Sequence, residues 1–362
     1  MSKKIRIYAM THKDFTPPQD AIYIPMQVRS DRQIEREYPV MDAEDISEFN
    51  PYYSELTGMY RVFRTDNESD IIGICHYRRY LQNAAGRLFN AQQIEQILSR
   101  YDVMTTKKVI LDHSYLEGFG GKHNREDLLQ TGRVILELTP NYYEEFERVI
   151  HQNTTYFGNM IITDRKHFME YSLWLFTILF EVHKRVDMTG YNDYQKRLFG
   201  FLSELLLMVY INVNRLSVYE CDVAVIGEKK ETAETRKVIE EFFLKRDLEG
   251  AKAYFMEVYR KRPDILMEAS DTLGELKLCT QMLATFAAET EQTGKNYLEH
   301  ENRLSVLLLE FRELNRILLQ YDTSVSVSDF TMEEQQWLLS NGRSPIAVDI
   351  ARMILYPKEK IQ

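Results

Sequence analysis

The segment Asp70-Ile71-Ile72-Gly73-Ile74-Cys75 is a short apolar run of the kind buried on both faces of a parallel sheet, and it leads straight into His76-Tyr77-Arg78-Arg79-Tyr80. Ligands of open α/β sheets bind outside the carboxyl ends of strands, so this is where a binding group belongs. Two guanidiniums and an imidazole among tyrosines suit a multiply charged phosphate. Arginine offers a fixed fork of donors, and the aromatic faces can stack on a base or a sugar. The same arginines could instead pair with surface carboxylates of an acidic protein; the buried strand immediately before them favours the phosphate. Other chemistries lack their anchors. A Walker loop, a GxGxxG after a strand, GxSxG and HExxH are all missing, and Gly118-Phe119-Gly120-Gly121 follows no convincing strand. His12, His76, His113 and His123 have no Cys or His companion at metal-ligand spacing, and the chain contains no Asp-x-Asp.

The elements that must position this cluster are legible on either side of it. Alternation in Ile5–Met10 and the β-like run Ile22–Val28 predict strands, Tyr52–Arg64 a helix, and Ala91–Ser99 and Tyr101–Thr105 a helix and a strand. The alternation continues with Asn141–His151 (helix), Gly158–Thr163 (strand), His167–Val186 and Asp193–Val213 (helices) and Ser217–Val225 (strand). The expectation is an α/β sandwich with a mostly parallel central sheet. The aromatics of Tyr171–Phe180 and Phe199–Tyr210 read as core.

After Gly227 the strand signal stops, and a boundary near residue 228 divides an α/β domain, 1–227, from an all-α domain, 228–362. Asp247 can cap a helix that Pro263 closes, with Leu248, Ala251, Phe255, Val258 and Tyr259 on one face. One half of a tetratricopeptide-type unit would look similar, but no second copy follows and a helical hairpin is the simpler reading. Leu304, Leu307, Phe311, Leu314, Leu318 and Tyr321 form a buried stripe or, less simply, a dimer seam.

Composition narrows the function classes. The 362 residues are 44% hydrophobic and 12% aromatic, which excludes a disordered or purely coiled-coil chain. The net charge of −10 is shared evenly: residues 1–226 hold 26 Lys/Arg against 31 Asp/Glu, residues 227–362 hold 19 against 24. A basic nucleic-acid-binding surface is therefore not expected. Cys75, Cys221 and Cys279 are too scattered for a disulfide framework or a zinc site, and seven of eight histidines precede residue 227. The charged start, MSKKIRIYAMTHK, is unlike a secretory segment, and no apolar stretch approaches the roughly 20 residues that span a bilayer. The expected setting is the cytoplasm, with work at the inner face of the membrane left open.

Asn50-Pro51-Tyr52-Tyr53-Ser54-Glu55-Leu56-Thr57-Gly58-Met59-Tyr60 and Gly73–Tyr80 together resemble a bacterial glycosyltransferase family of capsule, exopolysaccharide and O-antigen clusters. The family, long carried as a domain of unknown function, includes galactofuranosyltransferases. The resemblance takes in Ile7–Lys13, Gly158–Ile162 and Gly190–Glu204, and so nearly all of residues 4–226. It implies a nucleotide-sugar-binding sandwich similar to the GT-A glycosyltransferase fold, a UDP-linked or related donor, and a glycan or glycolipid acceptor. Thr11, His12 and Lys13 would then lie beside the nucleotide, with Glu55 accepting from ribose or base. His76, Tyr77, Arg78, Arg79 and Arg197 would contact the donor, the cations offsetting diphosphate charge that a metal otherwise neutralises. A divalent metal is left open, and Asp42, Glu44 and Asp45 could supply ligands or be a solvated loop.

An inverting transfer needs a carboxylate base. Asp193 and Glu204 are the candidates within the resembling motifs, Asp193 preferred although it could be only a helix N-cap. On one helix, eleven residues apart, they would lie about 16 Å from each other along the axis, so only one can serve. Asn159, Tyr194 and Gln195 are candidate contacts to acceptor or sugar. The competing class is a non-catalytic nucleotide-sugar-binding scaffold that recruits partners through the helical domain, which could also mediate a homodimer. A nucleotidyl- or phosphosugar transferase would use the same cationic strand end but release pyrophosphate or need a metal.

Overall fold

A computed structural model describes residues 3–12, 14–28, 37–267, 270–321, 325–341 and 344–356. The chain divides into two compact units, Met1–Ile226 and Gly227–Gln362.

In the first unit Ile5–Thr11 (β1) and Tyr23–Gln27 (β2) form the expected strands. The single helix expected over Tyr52–Arg64 is instead two, Asn50–Tyr53 (α1) and Leu56–Thr65 (α2). Ser54 between them takes φ 50° and ψ −127°. Side-chain donors stabilise the break: Asn50 Nδ2 and Thr57 Oγ1 both donate to the Ser54 carbonyl, at 2.8 and 3.0 Å.

Ile71–His76 (β3) follows, buried at every position. Tyr77 and Arg78 turn the chain, and Arg79–Gln82 (β4) runs back antiparallel with Arg79 opposite His76. Sequence reading missed this four-residue strand. Next come Ala91–Leu98 (α3), Val103–Thr106 (β5) and Val109–Ile110 (β6). The glycine-rich stretch is helical, Tyr115–Gly120 (α4), with Ser114 and Glu117 forming a reciprocal capping box at its start. Arg125–Leu138 (α5), capped by Asn124, was also missed. Tyr143–His151 (α6), Thr154–Thr155 (β7), Ile161–Asp164 (β8) and Arg165–Arg185 (α7) follow. The helix expected over Asp193–Val213 is likewise two, Asp193–Lys196 (α8) and Leu198–Val213 (α9), broken at Arg197 where ψ is 21°. Val218–Val225 (β9) ends the unit's strands.

The large sheet has the order β2-β1-β3-β4-β9-β5-β8, and β8 also pairs with β3, closing β3, β4, β9, β5 and β8 into a small barrel. It is mixed, which corrects the mostly parallel expectation. β1 is parallel to β2 and β3, and β5 to β9, whereas β8 is antiparallel to β3 and β5, and β4 to β3 and β9. A buried apolar run such as β3 carries no sign of its neighbours' direction, since both faces are covered either way. Alternate β3 residues face different cores. Ile72 and Ile74 join Tyr60, Phe146, Phe168, Phe176 and Phe199 under the helices, and Ile71 and Cys75 join Tyr80, Phe89, Met104 and Cys221. Gly73 permits this close approach, because a Cβ there would lie 2.9 Å from Ile162 Cγ1 and 3.1 Å from Ile7 Cγ1. Trp174 and the aromatics of α7 and α9 are core, as expected.

The second unit is helical among its described residues: Lys230–Leu244 (α10), Leu248–Lys261 (α11), Glu275–Thr293 (α12), Leu304–Leu318 (α13), Met332–Ser340 (α14) and Pro345–Leu355 (α15). Asp247 caps α11 by accepting from Gly250 N–H at 2.8 Å. Leu304, Leu307, Phe311, Leu314 and Leu318 are buried against Phe243, Met282 and Phe286, so this stripe belongs to the unit's own core. Among the described residues no helix is long and apolar enough to cross a membrane.

Candidate active site

The two helix breaks and the turn before β8 bring one polar cluster together. The strand expected from Gly158 begins only at Ile161; Gly158 and Asn159 instead form a left-handed turn, with φ 96° and 50°. Hydroxyls of β5 hold this turn from behind: Thr105 Oγ1 donates to the Met160 carbonyl at 2.6 Å and Thr106 Oγ1 to the Phe157 carbonyl at 3.2 Å. Gly158 N–H donates to Glu204 Oε1 at 2.7 Å, and its carbonyl accepts from His76 Nε2 at 2.5 Å. The Asn159 amide donates to Glu55 Oε1 at 2.8 Å and to the Gly200 carbonyl at 2.9 Å, while its oxygen accepts from Ser203 Oγ at 2.8 Å. Arg79 Nη2 lies 3.4 Å from the His76 ring nitrogens. Arg197 donates through Nε to Ser54 Oγ at 3.2 Å and covers the Phe201 ring, 5.3 Å from its centroid.

Electrostatics separate the two carboxyls, both of which retain partial solvent access. Burial pushes Glu204 up to about 7, reinforced by the negative charge of Glu55 and opposed by Gly158 N–H, Arg79 and Arg197. Burial also works against a charged Glu55, but the positive fields of His76 and Arg197 and the Asn159 hydrogen bond hold its pKa below the ordinary value. His76 is pushed down to about 4, by burial first and then by Arg79, against the pull of Glu55 and the Gly158 carbonyl. At neutral pH the ring is therefore uncharged, so Asn159 and Arg197 are what hold Glu55 ionised there. A carboxyl poised near 7 beside an ionised one is the arrangement that serves proton transfer.

The structure thus gathers Glu55, His76, Arg79, Asn159, Arg197 and Glu204. Asp193, preferred above as base, is not among them: it is exposed at the first position of α8, and its ion-pair partner is Lys196 at 3.8 Å. Because the helix breaks at Arg197, Asp193 and Glu204 do not share a helix, which removes the spacing argument that compared them. Gln195 closes the capping box with Asn192, and Tyr194 is buried, stacked on His123 at 5.2 Å. Both have partners within the fold. Arg78 donates through Nε to the Ile226 carbonyl at 3.2 Å and accepts the Ile226 N–H at its own carbonyl, tying β4 to the end of β9. Thr11 is buried at the end of β1, where its carbonyl accepts Val28 N–H. His12 and Phe15 meet Tyr77 edge-on at 5.4 and 5.8 Å, an aromatic group beside the strand ends. Lys13 lies outside the described residues.

Sequence reading missed Gly158, Ser54 and Ser203. The Gly-Asn pair at 158–159 is a left-handed-turn signal that would have found the first. Among the described residues, no three His, Cys, Asp or Glu side chains gather as a metal-holding group. Asp45 of the acidic loop is bonded to Arg61 at 2.8 Å and to Ser47.

The residues of the site lie within a family match. Residues 6–215 match the model of the family described as Domain of unknown function (DUF4422), more than half of the chain, and the protein belongs to that family. The fold is similar to the solved apo structure of WbbM, a bifunctional glycosyltransferase, with a TM-score of 0.53 and 24% identity over 62% of this chain. The match spans 46% of the WbbM chain, so this protein corresponds to about half of that one. No curated protein matches the sequence.

Proposed function

We propose that residues 1–226 form a glycosyltransferase domain of the GT-A type. It would transfer a hexosyl or galactofuranosyl group from a nucleotide sugar, UDP-linked in the first instance, to a hydroxyl of a lipid-linked or growing surface glycan. The observation that carries this reading is Glu204: a carboxyl poised near neutral pH, fixed by Gly158 N–H, within the field of two guanidiniums. Glu204 takes the acceptor's hydroxyl proton as that oxygen bonds to the anomeric carbon. The bond from that carbon to the diphosphate breaks, and the nucleoside diphosphate leaves with the electron pair. Arg79 and Arg197 meet the charge that develops there. Attack on the face opposite the leaving group inverts the anomeric centre. The likeness to a glycosyltransferase scaffold and the motifs at Asn50–Tyr60 and Gly73–Tyr80 support the same assignment.

The reading is tested by incubating the full chain with UDP, GDP, CMP and TDP sugars and glycan acceptors, and following release of the free nucleotide. Acceptor-dependent release from one donor class is expected. Binding of a nucleotide sugar with no release in the presence of any acceptor would favour a scaffold, and release of a nucleoside monophosphate from a diphosphate-linked donor a phosphosugar transferase.

A further inference from the structure

We propose that Asn159 is a positioning residue, which through its amide and its left-handed backbone sets where the Glu55 and Glu204 carboxylates stand relative to each other and to the acceptor hydroxyl. This rests on the transferase reading above and goes beyond it, because Asn159 touches no substrate in this role.

One dipeptide reaches three elements of the site. Gly158 N–H fixes Glu204 of α9, the Gly158 carbonyl fixes His76 of β3, and the Asn159 amide fixes Glu55 at the start of α2. The amide cannot flip without loss. Its NH2 is shared between Glu55 and the Gly200 carbonyl, and its oxygen accepts from Ser203 Oγ, whose single proton also faces the Gly200 carbonyl. Its left-handed φ of 50° is a conformation that asparagine tolerates better than most residues. Gly158, at φ 96°, is a position for glycine, and a Cβ there would approach Arg79 Nη1 to 3.4 Å. The ionisable groups facing the two carboxyls are His76 from β3, Arg79 from β4, Arg197 between α8 and α9, and Tyr115 from α4. Asn159 is the neutral donor among them, so it can hold Glu55 ionised without lowering Glu204 by a further positive charge.

Three variants separate the amide from the backbone. Asn159→Gly keeps the left-handed turn and removes the amide. Asn159→Asp keeps shape and turn but places an acceptor where Glu55 needs a donor. Asn159→Ala strains the turn. The carboxyl carbons of 13C-labelled glutamate are titrated by NMR in the full chain, with Glu55→Gln and Glu204→Gln assigning the signals, and turnover is measured against pH on the same samples. The expected result is a rise of the Glu55 midpoint in Asn159→Gly and a larger rise in Asn159→Asp. Turnover should fall in the order wild type, Gly, Asp, by about 10²-fold at the last, the loss a misplaced catalytic group gives. Asn159→Asp retaining wild-type midpoints and turnover would overturn the proposal and leave Asn159 a backbone role. If the midpoints move as expected while the wild type turns over no nucleotide sugar, the positioning stands and the transferase reading fails.

Discussion

Arg197 donates through Nε to Ser54 Oγ across 3.2 Å, and that bond joins the break between α1 and α2 to the break between α8 and α9. Glu55 follows Ser54 directly, Glu204 lies in the second turn of α9, and the two carboxyls meet the same Gly158–Asn159 turn.

Ser54 is a serine held at φ 50°, ψ −127°, a conformation that costs about 1–3 kcal/mol. Ser54→Gly releases that strain while losing a hydrogen bond worth about 1 kcal/mol, so the two nearly cancel. Ser54→Ala loses the bond and keeps the strain. Thermal unfolding is expected to leave Ser54→Gly close to wild type and to lower the Tm of Ser54→Ala by about 2–4 °C. Both should lose turnover, since both free Arg197.

Glu204, raised to about 7 from an ordinary 4.5, binds its proton more tightly folded than unfolded. Its favourable contribution to stability is complete below pH 4.5 and is lost as pH rises through 7. Glu204→Gln removes that loss. The difference in Tm between the variant and the wild type should therefore grow in the variant's favour between pH 4.5 and 7 and level off above; a difference independent of pH would contradict the assignment.

Three buried histidines act in the opposite direction. Burial lowers His76, His123 and His183 each to about 4, with added repulsion from Arg79 at His76 and from Lys122 and Arg197 at His123. Each stays neutral in the fold, so the stability it contributes is present above about 6.5 and lost as pH falls through 4. His123 packs among Phe119, Tyr194 and Phe201, and its Nδ1 has no hydrogen-bond partner. His123→Phe should fold at neutral pH and lose less Tm than wild type between pH 6.5 and 4, measured by thermal unfolding across that range.

The neighbouring arginines should behave differently. Arg79 lies beside His76 in the site, whereas Arg78 bonds the Ile226 backbone. A charge-assisted hydrogen bond to phosphate is worth about 1.5–3 kcal/mol, so Arg79→Met should weaken nucleoside diphosphate binding about tenfold or more in calorimetry. Arg78→Met should change it little and lower the Tm instead. With guanidiniums meeting the diphosphate charge, turnover is expected to persist in excess EDTA; a strict Mn²⁺ or Mg²⁺ requirement would show that these cations do not suffice.

Much of the scaffold could be read from sequence because its signals are local. Ile5–Met10 and Ile71–Cys75 are strands with apolar patterns, α7 is a long uniform helix, and Asp247 caps as its position suggests. The direction of β8 could not be read, since it depends on a partner ninety residues earlier in the chain. The helix breaks at Ser54 and Arg197 were invisible for a related reason. Both residues have ordinary helix propensity; hydrogen bonds from Asn50 and Thr57 hold the first break, and at the second Arg197, with ψ 21°, is bonded to Ser54 Oγ from a distant part of the chain. Those breaks bear on the choice between the two carboxyls: one straight helix would have Asp193 at its start, whereas in the structure Asp193 faces solvent and Glu204 reaches Gly158.

The most direct test of the central claim is acceptor-dependent release of nucleotide from a nucleotide sugar, compared between wild type and Glu204→Gln, with donor binding measured separately. Wild-type turnover is expected to rise with pH through about 7, and Glu204→Gln to lose roughly 10²–10⁴-fold with donor affinity intact. Turnover in Glu204→Gln equal to wild type would contradict it.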